Sequence, residues 1–408
     1  MKKSPLRALA AACIVAAGFC FVACLYAIGL SNENAAERDF ISYWATGQQL
    51  AHGANPYDFA AVWRLERGAG RKDGEPIIVV RNPPVALFAE LPLGLVSPKT
   101  GLILWLLLLL TCLSLSIFVL WRLNGRPNNR YYLLGYFFAP ATACLMAGQF
   151  GIFLLLGIVL FLYFHQSRPF LAGAALLICA LKPHVFLPFA AVLLVWAVSR
   201  GAYRIFAGFF ATLLASCASS LYIDPQAWPQ YSYMMRAGGV LNEVVPSLAS
   251  NFRVLVSHDA VWLQFLPAAA GCGWALWYFW TRRNRWNWMD QGLLLLLVSA
   301  MCAPYGWFTD ETMLLPAVLA GLYRAVAARR SLLPLGLISA VALVEVFSEV
   351  SLTSRYYLWS TPAWLGWYLY ATIKSDTSAE GKNGGTAEIA EPAHGAPDTH
   401  QRSNRGPS

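Results

Sequence analysis

Apolar runs separated by short polar connections recur along most of the 408-residue chain. Hydropathy predicts spans near 9–30, 100–121, 131–147, 150–165, 169–181, 184–199, 203–222, 260–281, 289–304, 311–328, 332–350 and 356–373. That is about twelve, set against the ~20 apolar residues a helix needs to cross a ~30 Å hydrocarbon core. Residues 85–96 (VALFAELPLGLV) are too short and proline-broken to span, and are expected to re-enter the membrane or lie along it. The expected fold class is an all-α polytopic membrane protein.

The connections between the runs are of two kinds. With the N-terminus (Lys2, Lys3, Arg7) in the cytoplasm, every second connection stays inside. Those connections carry Arg122, Arg126 and Arg130; Arg168; Arg200 and Arg204; Arg282, Arg283 and Arg285; Arg329 and Arg330; and Lys374. This is the positive-inside pattern in nearly every short loop. The outer connections are 31–99, 147–151, 181–184, 223–258, 303–312 and 350–356, and they hold all the unusual polar motifs. A working site is therefore expected on the outer face, with both termini cytoplasmic.

Composition agrees with this picture. The chain is 58% hydrophobic and 12% charged, against about 25% charged in a soluble domain. The net charge of +9 is scattered through short loops rather than gathered in a stripe, which argues against nucleic acid as a partner. The nine cysteines lie in or beside apolar runs without a C-x-x-C pair, so they read as small packing residues. The opening MKKSPLRALAAACIVAAGFCFVACLYAIGL resembles a signal peptide, but its apolar part is longer than a 7–15-residue signal core and is expected to be an uncleaved anchor. From Ser375 the tail has almost no large apolar residue. The expected organisation is a transmembrane domain, 1–373, and a disordered cytoplasmic tail, 374–408.

Candidate chemistry lies in the outer connections. In RDFISYWATGQQLAHGANPYD (38–58), a helix is expected to begin near Ser31 or Asn32 and to end at Gly53 and Asn55-Pro56. Phe40, Tyr43, Trp44 and Gly47 share a flank suited to an interfacial helix, with Asp39 one turn from Tyr43. Asp39 is placed to take a proton; the plainer reading is pairing with Arg38 or a helix cap. Gln149 in AGQFG suits a hydroxyl-rich ligand or its own turn. Lys182 in LKPH ends an apolar run, where an ammonium snorkels or finds an anion, with His184 beside it. In the loop 223–258, Asn242, Ser247, Asn251 and Arg253 are candidate cleft residues. APYGWFTDET contributes Tyr305, Trp307, Asp310 and Glu311, the acids also suiting a helix dipole. In the eleventh apolar run Glu345 and Glu349 are one turn apart within apolar surroundings and are expected to face the bundle interior, with Arg355 and Lys182 as candidate partners.

The order D-F-x-x-Y-W-x-x-G-x-x-L…G-x-N-P-Y-D, N-P-P…L-P-L, G-Q-F-G, L-K-P-H, P-S-L and P-Y…D-E-x-x-L-L-P resembles glycosyltransferase family 87 over about residues 5–370. The resemblance implies a GT-C-like bundle that transfers a hexose, mannose by analogy, from a polyprenyl-phosphate donor to an extracytoplasmic glycan or glycolipid. It implies Asp39 as the base of an inverting reaction. Lys182, His184, Arg81 and Arg253 would then serve the donor phosphate. Tyr43, Trp44, Gln149, Tyr305, Trp307 and Asp310 would serve sugar or acceptor. No cofactor is expected and no metal-ligand spacing stands out, with a divalent metal left open. The competing readings are a transporter or flippase for a lipid-linked sugar, kept alive by Glu345 and Glu349, and a catalytically idle scaffold.

Overall fold

The computed structural model describes residues 30–237, 244–352 and 354–373. The anchor expected at 9–30, Asn242 and the tail from 374 lie outside the described residues. The chain divides into Met1–Thr372 and Ile373–Ser408, and the described helices belong to the first of these units. Among the described residues every regular element is helical.

Among the described residues two helices are long and apolar enough to cross a membrane, Pro98–Leu123 and Tyr203–Ile223. Each other expected run from residue 131 onward is also helical, but shorter. Tyr131–Ala147, Pro183–Ser199 and Trp288–Cys302 fall among the apolar helices of 10–17 residues. The shortening has a cause in the sequence. Pro140, Pro188, Pro267 and Pro316 each stand near the start of an α-helix, where a missing N–H is harmless, and the preceding turn tightens to 3-10 geometry. At about 1.5 Å per residue, a 17-residue helix reaches about 25 Å.

The exposed side chains show what surrounds the bundle. On Pro98–Leu123, Leu104, Leu108, Leu115 and Phe118 are open along one flank, while Leu102, Trp105, Leu109 and Leu113 are buried. Phe210, Leu214 and Leu221 are likewise open on Tyr203–Ile223. Apolar faces this extensive call for a lipid covering. Where helices meet, glycine allows close approach: a Cβ on Gly173 would lie 1.9 Å from the Ile205 carbonyl oxygen, and one on Gly208 2.0 Å from that of Phe170.

The helix expected from Ser31 to Gly53 is two helices. Ser31 caps Asn32–Ala36 with a reciprocal capping box. The chain then turns, and α1 (Phe40–Ala51) starts at Asp39. Nor does α1 lie open on an interface, as its aromatic flank suggested: Phe40 through Gly47 are all buried. The broken segment Pro84–Leu95 covers it, so closely that a Cβ on Gly94 would meet the Gly47 carbonyl carbon at 2.0 Å. The proline-rich stretch thus packs on protein, which satisfies backbone groups that a lipid face would leave unpaired. Helix α2 (Phe59–Ala69), capped by Asp58 and ended by Gly70, completes this cover.

Candidate active site

One cavity of about 700 Å³ draws wall residues from all six connections that carry the polar motifs. Asp39 and Arg81 come from the first, Gln149 from the second and Lys182 from the third. Val244, Trp307 and Leu352 come from the remaining three. The volume lies in the ordinary range for a small-molecule site. Arginine-bearing connections meet one another elsewhere: Arg200 donates to the Arg283 carbonyl at 2.8 Å.

Asp39 sits at the start of α1, yet its side chain makes no capping bond. Instead Gln149 Nε2 donates to Asp39 Oδ2 at 2.6 Å. The Tyr43 hydroxyl in turn donates to Gln149 Oε1 at 3.3 Å. A carboxylate, an amide and a phenol are thereby joined across two connections that lie far apart in sequence. Burial pushes the Asp39 carboxyl above the usual range, opposed by the Gln149 hydrogen bond and by the charges of Lys182, Arg71 and Arg81. Burial also raises the Tyr43 phenol well above its ordinary value.

The turn that presents Gln149 is built by its glycines. Gly148 ends the helix Ala139–Ala147 at φ +70°, a conformation glycine adopts without penalty. Its carbonyl accepts from Trp105 Nε1 at 2.7 Å. Gly151 then packs on the acidic connection, where a Cβ would stand 2.2 Å from the Thr309 carbonyl oxygen.

Lys182 reaches the cavity from the end of its apolar run. Its ammonium pairs with Asp310 Oδ1 at 2.7 Å and lies 4.9 Å from the Phe150 ring centre. Asp310 also accepts from the Trp307 backbone N–H at 3.1 Å. Next to it, Glu311 is buried and accepts from Ser360, Thr361 and Trp364 at 2.6, 3.0 and 3.1 Å. The two adjacent acids therefore divide their duties: Asp310 holds the lysine, and Glu311 fastens this connection to the last helix.

Asp39, Tyr43, Gln149, Lys182, Arg81 and Trp307 share the cavity wall. The other sequence candidates stand elsewhere. Trp44 turns away and donates Nε1 to the Val96 carbonyl at 2.9 Å. His184 packs edge-on against Tyr305, with ring centres 5.8 Å apart, and neither lines the cavity. Asp310 stands behind Lys182 as its ion partner. Arg253 is fully buried in the helix Leu248–Val256, off the cavity. Ser247 caps that helix, and Asn251 bonds to the carbonyls of Val245 and Ser247. Glu345 accepts from Trp359 Nε1 at 3.0 Å, so its partner is neither Arg355 nor Lys182.

Arg38 and Arg71 also line the cavity, although the sequence pattern gave neither a site role. Arg71 braces the first connection, donating to the carbonyls of Ala36 and Pro76 and pairing with Glu66 and Glu75. Arg38 donates to the Met146 carbonyl. A basic loop residue shows no pattern that tells a buried arginine from a solvated one. Among the described residues no group of three or more His, Cys, Asp or Glu side chains is placed to hold a metal ion.

A cavity with a desolvated carboxylate, an oriented amide and several cations can bind an anionic substrate and accept a proton. The sequence model of glycosyltransferase family 87 matches residues 81–304, more than half of the chain. The chain belongs to glycosyltransferase family 87. No curated protein and no solved structure matches it. The matched segment of this family 87 chain contains Arg81, Gln149 and Lys182, while Asp39, Tyr43 and Trp307 lie outside it. The family makes the chain a glycosyltransferase, with a sugar donor and an acceptor as its substrates, and agrees with the lipid-facing surface of its helices.

Proposed function

We propose that this protein is a multi-pass enzyme of the cytoplasmic membrane with the GT-C type of bundle. In this reading about twelve spans run through residues 1–373, both termini are cytoplasmic, and the cavity opens outward. It transfers a hexose, mannose by family analogy, from a polyprenyl-phosphate donor to an extracytoplasmic glycan or glycolipid.

The observation that carries the proposal is the Asp39 carboxylate, held by Gln149 in a cavity whose charged side chains are mostly cations. In this mechanism Asp39 accepts the proton of the acceptor hydroxyl. The hydroxyl oxygen forms a bond to the anomeric carbon from the face opposite the phosphate. The bond from that carbon to the phosphate oxygen breaks, its electron pair leaves on the polyprenyl phosphate, and the anomeric centre inverts. The donor already carries its leaving group, so the protein's work is positioning, proton removal and charge stabilisation. Lys182 and Arg81 neutralise the departing phosphate. Tyr43 and Trp307 form walls against which a sugar ring can lie.

Asp39→Asn keeps the shape of the side chain and removes its basicity. The expected result is loss of at least ~100-fold of the transfer rate, with unchanged membrane insertion and melting temperature. The assay follows radiolabelled mannose from a short-chain polyprenyl-phosphate mannose into membranes of cells lacking the gene. Turnover like that of the wild type would remove Asp39 from the mechanism.

A further inference from the structure

A second cavity of about 370 Å³ adjoins the first. The two share Glu37, Arg38, Met146, Ala147, Ser351 and Leu352 in their walls. Arg38, through its bond to the Met146 carbonyl, stands on the boundary. Asp39, the next residue, lines only the larger cavity. Asn34, Glu349 and Tyr357 line only the smaller one.

The two cavities differ in charge. Arg38, Arg71, Arg81 and Lys182 face Glu37 and Asp39 in the larger cavity. Among the residues lining the smaller one Arg38 is the cation, against Glu349 and against Glu37, which also pairs with Lys72 at 3.3 Å. The larger wall therefore offers a phosphate more cations than the smaller one does. Ionised carboxylates accept hydrogen bonds only, which suits the hydroxyls of an uncharged sugar. Glu349 also adopts φ +56°, a left-handed conformation rare outside glycine. At this helix end, where glycine is the usual residue, the chain carries a carboxylate at the cavity wall.

We propose that the smaller cavity is the acceptor chamber, taking the uncharged saccharide headgroup of the acceptor on Glu37 and Glu349 and presenting its hydroxyl to Asp39 across the Arg38 boundary. This rests on the transferase reading above and adds where each substrate stands. The anionic donor occupies the cationic cavity, and the neutral acceptor enters from the acidic one. The proton leaves the acceptor oxygen for Asp39 as that oxygen bonds to the sugar, and the polyprenyl phosphate departs on the far side.

The test titrates both substrates separately. The donor is a short-chain polyprenyl-phosphate mannose carrying label, and the acceptor is a graded amount of membranes from cells lacking the gene. Glu349→Gly relieves the left-handed backbone while removing the carboxylate, so its folding is not threatened. Glu349→Gln and Glu37→Gln keep size and remove charge. Each is expected to raise the half-saturating amount of acceptor membranes roughly tenfold or more, the loss of one charged hydrogen bond, with half-saturation by donor unchanged. Acceptor half-saturation like that of the wild type in both Glu349 variants would overturn the chamber, as would an effect confined to the donor. A wild-type enzyme that transfers no label would instead overturn the transferase reading itself. Extraction of the product into organic solvent separates a lipid-borne saccharide from one on a polymer. Either product supports the chamber if its formation follows the variants' acceptor dependence, and neither does if that dependence is unaltered.

Discussion

Replacing Gln149 by leucine removes the amide that holds the Asp39 carboxylate while keeping a side chain of similar bulk. The 2.6 Å bond from Gln149 Nε2 ends on Oδ2 of Asp39. A hydrogen bond to a charged group contributes ~1.5–3 kcal/mol, and one pKa unit is ~1.4 kcal/mol. Its loss should therefore disfavour the ionised form and raise the Asp39 pKa further. The direction is set by the opposing influences on this group: burial already holds the pKa up, and the amide is the foremost of those holding it down. On the proposed mechanism Asp39 must be ionised to act as a base, so the acid limb of the activity profile should move to higher pH. Above the limb, the variant keeps its carboxylate and should recover to within about tenfold of the wild type, the remainder reflecting lost orientation of the base. The assay is kcat/KM for label transfer from polyprenyl-phosphate mannose, measured in detergent from pH 4.5 to 9.5. An acid limb that stays in place, with activity lowered equally at every pH, would refute the assignment of that limb to Asp39. A limb that moves down would refute the sign of the argument.

Lys182→Met should leave Asp310, which is only 3% exposed, without its cation and cost about 3–5 kcal/mol. Adding Asp310→Asn should restore most of the melting temperature in a thermal-shift measurement while half-saturation by donor stays raised. Glu90 tests the cover over α1. Burial pushes its carboxyl up to about 7, against the hydrogen bond from Asn82, and its Oε2 has no partner. Because the folded pKa lies above the unfolded one, its contribution to stability is full below about pH 4.5 and fades as pH rises through about 7. Glu90→Gln should therefore raise the melting temperature at pH 8.5 and leave it unchanged at pH 4, measured by circular dichroism. A gain of equal size at both values would show that charge plays no part.

The helical character of the chain and the gathering of several candidate side chains around one cavity were legible in the pattern of apolar runs and of the polar connections between them. Asp39, Gln149, Lys182 and Trp307 come from four different connections, and assigning those connections to one face was enough to group them. Within a connection that logic has less force. Tyr43 follows Asp39 by four residues and Trp44 by five, which at 3.6 residues per turn puts them about 40° and about 140° from Asp39 around α1. Tyr43 turns into the cavity, while the Trp44 indole finds the Val96 carbonyl. The aromatic flank that suggested an interfacial helix is an inward-packed flank, because Gly47 and Gly94 let Pro84–Leu95 close over it. That approach depends on two glycines far apart in the chain. The partner of Lys182 was equally hidden: Asp310 lies 128 residues away, and the sequence does not tell which of the adjacent Asp310 and Glu311 meets the ammonium.

The wall of the large cavity begins at Glu37 and ends at Leu352, almost the full described length. Nearly the whole polypeptide must therefore be made before the cavity has all its walls. Until residues 351 and 352 seat, the nascent chain lacks the last of those walls. Any truncation from the C-terminal side that removes Ser351 and Leu352 would leave that wall open, so loss of a short distal segment should silence chemistry whose principal side chains lie in the first half of the sequence.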